Sequence, residues 1–135
     1  MVSVTVELRN VEDTQAALGW AGGHTIVVDR PQGRAGGQGL GFNGAQLLGL
    51  AIGGCFCNDL HYVAAEKGVE LAKISISVRV ELESDLSFTK EATLTVSCQT
   101  SDGSDPEPVI AEAKARCMVH NSLRRGVPVT VEAVA

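Results

Sequence analysis

The residues that decide the fold are Gly44-Ala-Gln-Leu-Leu-Gly-Leu-Ala-Ile-Gly-Gly-Cys-Phe-Cys-Asn-Asp-Leu-His-Tyr-Val-Ala-Ala-Glu-Lys-Gly68. At 3.6 residues per turn, this stretch predicts one helix of about six or seven turns. From Leu47 to Cys57 it is apolar on every side, which is typical of a helix that is buried all round. Gly53 and Gly54 each cost about 1 kcal/mol relative to alanine inside a helix. We therefore expect a neighbouring element to approach the backbone closely at this pair.

The segments on either side of this helix alternate between apolar and polar residues, which predicts strands. The predicted strands cover residues 2–9, 15–21, 24–29, 70–84, 88–100 and 127–134. A second helix is predicted to begin at Asp105-Pro-Glu-Pro, because proline suits a first helical turn, and to end near residues 121–126. The order βββ-α-ββ-α-β predicts an α+β fold in which helices pack on a largely antiparallel sheet. Residues 1–135 are expected to form a single domain.

The central helix also predicts a quaternary structure. A helix that is apolar on all sides needs cover on two sides, and the small predicted sheet can cover only one. A second copy of the chain, packed helix against helix, is the simplest cover for the other side. The sequence therefore predicts an intertwined homodimer, and the glycine pair Gly53-Gly54 suits such a helix crossing.

Composition and charge narrow the possible partners and the compartment. The chain has a net charge of −5, 4% aromatic residues and dispersed basic residues, so nucleic acid is not an expected partner. The longest apolar run, eleven residues from Leu47 to Cys57, is short for a bilayer span, so no membrane association is expected. The alternating N-terminus from Met1 to Arg9 lacks the pattern of a signal peptide. We therefore expect a cytoplasmic protein whose cysteines are reduced.

Four cysteines are the main candidates for chemistry. Cys98 alternates with apolar strand residues and is expected to belong to the core. Cys55 and Cys57 point about 200° apart on a helix, so they cannot bind one metal ion together. His61 shares a helix face with Cys57, which makes only two ligands where zinc usually has at least three from the protein. The sequence therefore predicts no metal site.

Cys55 and Cys117 both lie in segments that are expected to face inward, and the pattern alone leaves packing and reactivity open for each. A cysteine in the middle of a helix gains nothing from the helix N-terminus, so its thiolate needs a nearby cation. The glycine-rich segment before the helix contains two candidates, Arg30 and Arg34. The glycines of that segment would let it fold over the helix.

The start of the central helix resembles a motif of the OsmC/Ohr family. Residues 43–56 read Asn-Gly-Ala-Gln-Leu-Leu-Gly-Leu-Ala-Ile-Gly-Gly-Cys-Phe, and the family motif reads Asn-Pro-Glu-Glu/Gln-Leu, then small apolar residues, then a cysteine after Ala or Gly. Residues 115–123, Ala-Arg-Cys-Met-Val-His-Asn-Ser-Leu, are similar to the family's second motif, Cys-Pro-Val-Ser-x-x-Leu. Val28-Asp-Arg-Pro31, followed by Gly36-Gly37, is similar to one branch of the family. The resemblance covers essentially the whole chain and implies the OsmC-like fold.

The resemblance implies a thiol-dependent peroxidase that reduces organic hydroperoxides. In such enzymes the first cysteine, here Cys55, attacks the peroxide and becomes a sulfenic acid. The second cysteine, here Cys117, then forms a disulfide with it, which an external dithiol reduces. An arginine of the preceding loop is implied to activate Cys55, and Arg34 lies nearer to the family's position than Arg30. The resemblance implies no metal and no organic cofactor.

Departures from the two family motifs suggest an alternative function. The family glutamate that holds the arginine falls at Ala45, so Asp29 or Asp59 would have to supply the missing carboxylate. In the second motif Met118 stands in place of proline and His120 in place of serine. His120 is either a partly exposed histidine at a helix end or a residue that tunes the second thiol. The alternative is a non-enzymatic protein of the same fold that binds a small apolar ligand at the dimer interface. Its thiols would then serve only in packing.

Overall fold

A computed structural model of the protein describes residues 1–134. Its strands and helices follow in the order β1 (Glu7–Asn10), β2 (Ala17–Ala21), β3 (His24–Val28), α1 (Gly44–Lys67), β4 (Leu71–Leu82), β5 (Thr89–Thr100), α2 (Glu107–Arg116) and α3 (Met118–Arg125). The chain forms two compact units. The N-terminal unit comprises residues 1–47, and the C-terminal unit begins at Leu48.

The N-terminal unit contains one antiparallel sheet of three strands in the order β1-β2-β3. Glu7 of β1 lies opposite Trp20 of β2, and Ala21 at the end of β2 lies opposite His24 at the start of β3. The turn between β2 and β3 uses Gly22, whose φ of 58° lies in the left-handed region that glycine adopts without strain. The strands predicted at 15–21 and 24–29 therefore form a hairpin.

The glycine-rich segment after β3 is organised by the carboxylate of Asp29, which is a buried residue. Its oxygens accept hydrogen bonds from the backbone N–H groups of Leu40 at 3.0 Å, Gln38 at 3.1 Å and Arg30 at 2.8 Å. These bonds, above all the bond from Leu40, hold the pKa of Asp29 below its ordinary value, although burial opposes them. One carboxylate thus accepts hydrogen bonds from three backbone N–H groups that lie outside any helix or strand.

The C-terminal unit packs α1 against α2 and against the antiparallel hairpin of β4 and β5. The hairpin places Ile76 opposite Val96, and both side chains pack against the core cluster. Large side chains that are fully buried come from α1, from α2 and from the residue after α2. They are Leu60, Val63, Val109 and Cys117. The helix α1 therefore contributes one face to this core and leaves its other faces outside it.

The two ends of α1 are defined by local chemistry. At its start, Oδ1 of Asn43 accepts the N–H of Gln46 at 2.9 Å, and Oε1 of Gln46 accepts the N–H of Asn43 at 3.0 Å. This reciprocal pair satisfies two backbone donors that the first helical turn leaves free. At its end, Gly68 adopts a φ of 68°, the left-handed conformation in which many helices end.

Gly53 lets α1 approach β4 closely. A methyl group added at its Cα would lie 3.1 Å from Cγ2 of Val78, which is tighter than most side-chain contacts. A methyl group at Gly54 would meet no atom of the described residues within 4 Å. The expected close approach is therefore found at Gly53, where the contact is with a strand of the same chain. Gly54 lies on a side of the helix that the chain itself leaves open.

The predicted α+β class, the antiparallel pairing and the long central helix are confirmed, with two differences. Residues 2–6 and 127–134, predicted as strand, have no regular secondary structure, because no strand among the described residues pairs with them. The last strand of the predicted order is therefore wrong for the single chain. The predicted second helix is divided into α2 and α3, because Cys117, with φ −58° and ψ 114°, interrupts the helical backbone.

Within residues 1–134, α1 is the one helix that is long and apolar enough to cross a membrane by length and composition. The apolar part of α1 is therefore longer than the uninterrupted run of eleven apolar residues. Core helices of soluble proteins meet the same criterion, so length and composition do not distinguish a core helix from a membrane-spanning helix. Only five of the 24 residues of α1 are buried within the chain. Much apolar surface of this helix is therefore left without cover from its own chain.

Replacing Asp29 by asparagine should destabilise the protein near neutral pH, because a neutral amide is a weaker acceptor for three N–H groups. The folded-state pKa of Asp29 lies below the unfolded value of about 3.9. Its stabilising contribution is therefore present above that value and is lost as the pH falls through the folded-state pKa. Urea denaturation should show a difference in free energy of unfolding between wild type and Asp29→Asn that shrinks below about pH 4. A difference that is independent of pH would contradict the role assigned to this carboxylate.

Candidate active site

Two thiols and a carboxylate meet in the C-terminal unit. Cys55 and Asp59 are one turn apart on α1, and Cys117 lies between α2 and α3. The two sulfur atoms and a carboxylate oxygen of Asp59 all lie within 4.8 Å of one another. The thiol of Cys55 donates a hydrogen bond of 3.7 Å to Oδ2 of Asp59. The fold therefore brings together the two cysteines that the sequence singles out.

Cys117 is held in place by the break between two helices. Its N–H donates to the carbonyl of Ala113 at 3.0 Å, and its own carbonyl accepts the N–H of Asn121 at 2.9 Å. The residue is 1% exposed and belongs to the core cluster. Burial raises the pKa of Cys117 to about 11, and the neighbouring Cys55 adds to this effect, whereas a hydrogen bond from the backbone of His120 opposes it. In the resting protein this thiol is therefore protonated.

Arg116 brings positive charge close to Asp59. Its guanidinium donates two hydrogen bonds to the carboxylate of Glu66, at 3.1 and 2.5 Å, and lies 3.6 Å from Glu112. The hydrogen bonds to Glu66 raise the pKa of Arg116, and the charges of Glu66, Glu112 and Asp59 add to this effect. The paired guanidinium at the end of α2 thus interacts electrostatically with Asp59.

A cleft of about 790 Å³ borders Cys117 in the same unit. Apolar side chains from α1, β5 and α3 form part of its wall, namely Leu48, Ile52, Leu94 and Leu123. Basic side chains, including Lys114 and Arg124, also line it. Because Cys117 is a lining residue, the buried side of the thiol pair lies next to this cleft.

The family of the chain follows from a comparison with protein-family models. The model described as OsmC-like protein matches residues 36–132, which is more than half of the chain. This chain belongs to the OsmC-like family. The family resemblance carried by residues 43–56 and 115–123 is therefore confirmed. A search of curated protein sequences finds no significant match.

Solved structures show the same fold as this OsmC-like protein at low sequence identity. The OsmC-like protein of Mycoplasma pneumoniae is 19% identical, with a TM-score of 0.74 over 93% of this chain and 89% of that chain. An organic hydroperoxide resistance protein of Legionella pneumophila is 19% identical, with a TM-score of 0.61 over 92% and 90% of the two chains. The organic hydroperoxide resistance protein OhrB of Bacillus subtilis is 21% identical, with a TM-score of 0.60 over 93% of each chain. The predicted OsmC-like fold is therefore confirmed.

The two arginines predicted to activate Cys55 belong to the N-terminal unit of this OsmC-like protein, whereas the thiols belong to the C-terminal unit. Arg30 donates to the backbone carbonyl of Gln15 and forms an ion pair with Asp29 at 3.3 Å. Asp29, one of the two carboxylates considered as a replacement for the family glutamate, thus does hold an arginine. The assignment of Arg30 or Arg34 to Cys55 stays a prediction.

The remaining cysteines, Cys98 and Cys57, lie outside the thiol cluster. Cys98 is 8% exposed and lies on β5, so its predicted position in the core is confirmed. Burial raises the pKa of Cys98, and the neighbouring Cys57 adds to the effect. Among the described residues, neither Cys57 nor His61 takes part in a group of potential metal ligands.

Sequence reasoning underrated two residues of the site. Asp59 is considered from the sequence only as a replacement for the family glutamate, although its spacing of four residues from Cys55 places both on one helix face. That spacing is a usable local signal. Arg116 has no such signal, because its partner Glu66 is 50 residues away in the sequence.

Alkylation of the reduced protein should follow the burial of the four thiols. Cys98 and Cys117 are buried and have raised pKa values, so few of their thiolates are present at mildly alkaline pH. Limited treatment with iodoacetamide, followed by peptide mass spectrometry, should show these two cysteines modified last. Rapid modification of Cys117 before Cys57 would contradict the described packing.

Proposed function

We propose that this OsmC-like protein is a thiol-dependent peroxidase that reduces organic hydroperoxides, with Cys55 as the peroxidatic and Cys117 as the resolving cysteine. The observation that carries the proposal is the separation of the two sulfur atoms, which is within 4.8 Å. Cys55 is partly exposed and Cys117 is buried, which favours Cys55 as the thiol that meets the peroxide. Proteins of the same fold in Legionella pneumophila and Bacillus subtilis are named organic hydroperoxide resistance proteins, which is consistent with the proposal.

In the first step the sulfur of Cys55 attacks the outer oxygen of the hydroperoxide. A sulfur–oxygen bond forms, the oxygen–oxygen bond breaks, and the peroxide is reduced to an alcohol. The proton of the thiol ends on the alcohol oxygen, and Cys55 is left as a sulfenic acid. The hydrogen bond from Cys55 to Asp59 gives this proton a defined acceptor next to the sulfur.

In the second step the sulfur of Cys117 attacks the sulfur of the sulfenic acid. A disulfide forms, the sulfur–oxygen bond breaks, and the hydroxyl group leaves as water with the proton of Cys117. A disulfide needs a sulfur–sulfur distance of about 2.05 Å, so the two sulfurs must approach by about 3 Å or less. An external dithiol, available in a reducing compartment such as the cytoplasm, then exchanges with the disulfide and restores both thiols.

The thiolate of Cys55 requires a positive charge that its own helix does not supply. Asp59 is negative, and Arg116 is engaged by Glu66. We assign the activating charge to the glycine-rich segment of the N-terminal unit, as the family resemblance implies. Arg34 is favoured over Arg30, because Arg30 already binds Asp29 within its own unit.

One equivalent of cumene hydroperoxide should convert the reduced protein into a form with a disulfide between Cys55 and Cys117, detected by peptide mass spectrometry without reduction. Cys57 and Cys98 should stay reduced. In Cys117→Ser the reaction should stop at the sulfenic acid, which dimedone traps on Cys55, since no resolving thiol remains.

Cys57→Ser is the matched control, because it removes a partly exposed thiol of the same helix and should leave the disulfide unchanged. If both thiols of the pair stay reduced after peroxide treatment, the alternative function is favoured. The apolar wall of the cleft supports that alternative, a non-enzymatic protein that binds a small apolar ligand. Binding of an apolar fluorescent probe that survives in Cys55→Ala, together with unreactive thiols, would establish it.

We further propose that the protein is a homodimer in which the uncovered surface of α1 packs against a second copy. Leu50 and Tyr62 of α1 are 53% and 66% exposed in the single chain. Apolar side chains at both ends of the chain are also exposed, including Val2, Val4, Val129 and Val131. A soluble monomer rarely leaves so much apolar surface without cover. A partner chain would supply the strands with which residues 2–6 and 127–134 pair.

Sedimentation velocity should give a mass of twice the chain mass of 14.1 kDa. Leu50→Asp should shift the protein towards the monomer, because it places a charge in the proposed interface. Leu86→Asp is the matched control, since Leu86 is 52% exposed but lies in the turn between β4 and β5. A monomeric wild type, or equal effects of the two substitutions, would contradict the proposed interface.

A further inference from the structure

We propose that the reduced thiol cluster of Cys55, Asp59 and Cys117 also binds a thiophilic divalent cation such as Zn²⁺. The proposal goes beyond peroxide reduction, because it concerns the same side chains in the absence of an oxidant. Its basis is the convergence of two sulfur atoms and a carboxylate oxygen within 4.8 Å. No other group of three potential metal ligands of this kind occurs in residues 1–134.

The spacing of the three atoms is close to what zinc requires. Zinc binds sulfur at about 2.3 Å and carboxylate oxygen at about 2.1 Å in tetrahedral geometry. Such a site separates two sulfurs by about 3.8 Å and a sulfur from an oxygen by about 3.6 Å. The separation of 3.7 Å between Sγ of Cys55 and Oδ2 of Asp59 already agrees with this value. Small side-chain rotations would bring the remaining separations into range.

The ligand types determine the class of cation. Thiolates select soft or borderline cations such as Zn²⁺ and Cd²⁺, whereas Mg²⁺ and Ca²⁺ prefer all-oxygen sites. Three protein ligands leave one tetrahedral position, which a water molecule or a small ligand would fill. The cleft that borders Cys117 lies next to the cluster.

The charges around the cluster also suit a divalent cation. Two thiolates and one carboxylate carry three negative charges in a half-buried position, which is unfavourable without a counter-charge. A divalent cation supplies two positive charges to offset them. Bound metal would therefore stabilise the thiolate forms of the two cysteines.

Metal binding and disulfide formation exclude each other, because both use the electron pairs of the same sulfurs. When a hydroperoxide oxidises the metal-bound pair, the two thiolates lose two electrons and join. The peroxide takes these electrons with two protons and yields an alcohol and water, and the cation is released. The site would therefore hold the cation only while its thiols are reduced and release it on oxidation.

The test is a titration of the reduced protein with Cd²⁺, monitored by the ultraviolet charge-transfer absorption of cadmium–thiolate bonds. Zn²⁺ is then added to displace the Cd²⁺. One equivalent should bind. Loss of a residue that only holds a ligand weakens metal binding by about 10- to 100-fold. Loss of a ligand should cost at least as much, so we expect at least about 100-fold weaker binding in Cys55→Ser and Cys117→Ser and at least about 10-fold in Asp59→Asn. Cys57→Ser should bind as the wild type does.

A second measurement on the wild type avoids dependence on variants that fold poorly. One equivalent of Zn²⁺ should slow alkylation of Cys55 and Cys117 by at least about 10-fold and leave Cys57 unchanged. No charge-transfer band in the wild type, or equal protection of Cys57, would overturn the proposal. Peroxide-induced disulfide formation, measured without metal, reports on the peroxidase proposal separately, so either proposal can fail while the other stands.

Discussion

The packing of one face of α1 against α2 and the β4–β5 hairpin is the interaction on which the rest of the C-terminal unit depends. Leu60 and Ala113 are 0% exposed, and Val63 and Val109 are nearly so. Each large side chain buried in this way contributes about 1.5–3 kcal/mol. The same packing sets the distance between α1 and the junction of α2 and α3, and therefore the distance between the two sulfurs.

The two thiols of the pair differ in their relation to this core. Cys117 is part of the core, whereas Cys55 lies at the edge of the packed face of α1. Asp59 and Arg116 add opposite charges beside them. A buried thiol with a raised pKa and a partly exposed thiol with a hydrogen-bonded proton are chemically different, although they are close together. That difference supports the division of labour proposed for the two cysteines.

Much of this arrangement could be predicted from the sequence because its signals are local. The apolar run of residues 47–57, the alternation within 70–84 and 88–100, and two cysteine motifs identify the central helix, the hairpin and the family. The break at Cys117 could not be predicted, because it depends on backbone dihedral angles that no glycine or proline marks. The pair of Arg116 and Glu66 depends on tertiary packing across 50 residues. Residues 127–134 alternate as a strand does, yet a strand forms only where another strand pairs with it.

The central claim is that Cys55 is the peroxidatic cysteine of a thiol-dependent peroxidase, and catalytic turnover tests it most directly. The rate of cumene hydroperoxide consumption should be measured with dithiothreitol as the external dithiol, in wild type, Cys55→Ser and Cys57→Ser. We predict that wild type and Cys57→Ser consume the hydroperoxide at equal rates, well above the rate without protein, and that Cys55→Ser falls to the rate without protein. A wild-type rate no higher than that of Cys55→Ser would contradict the claim.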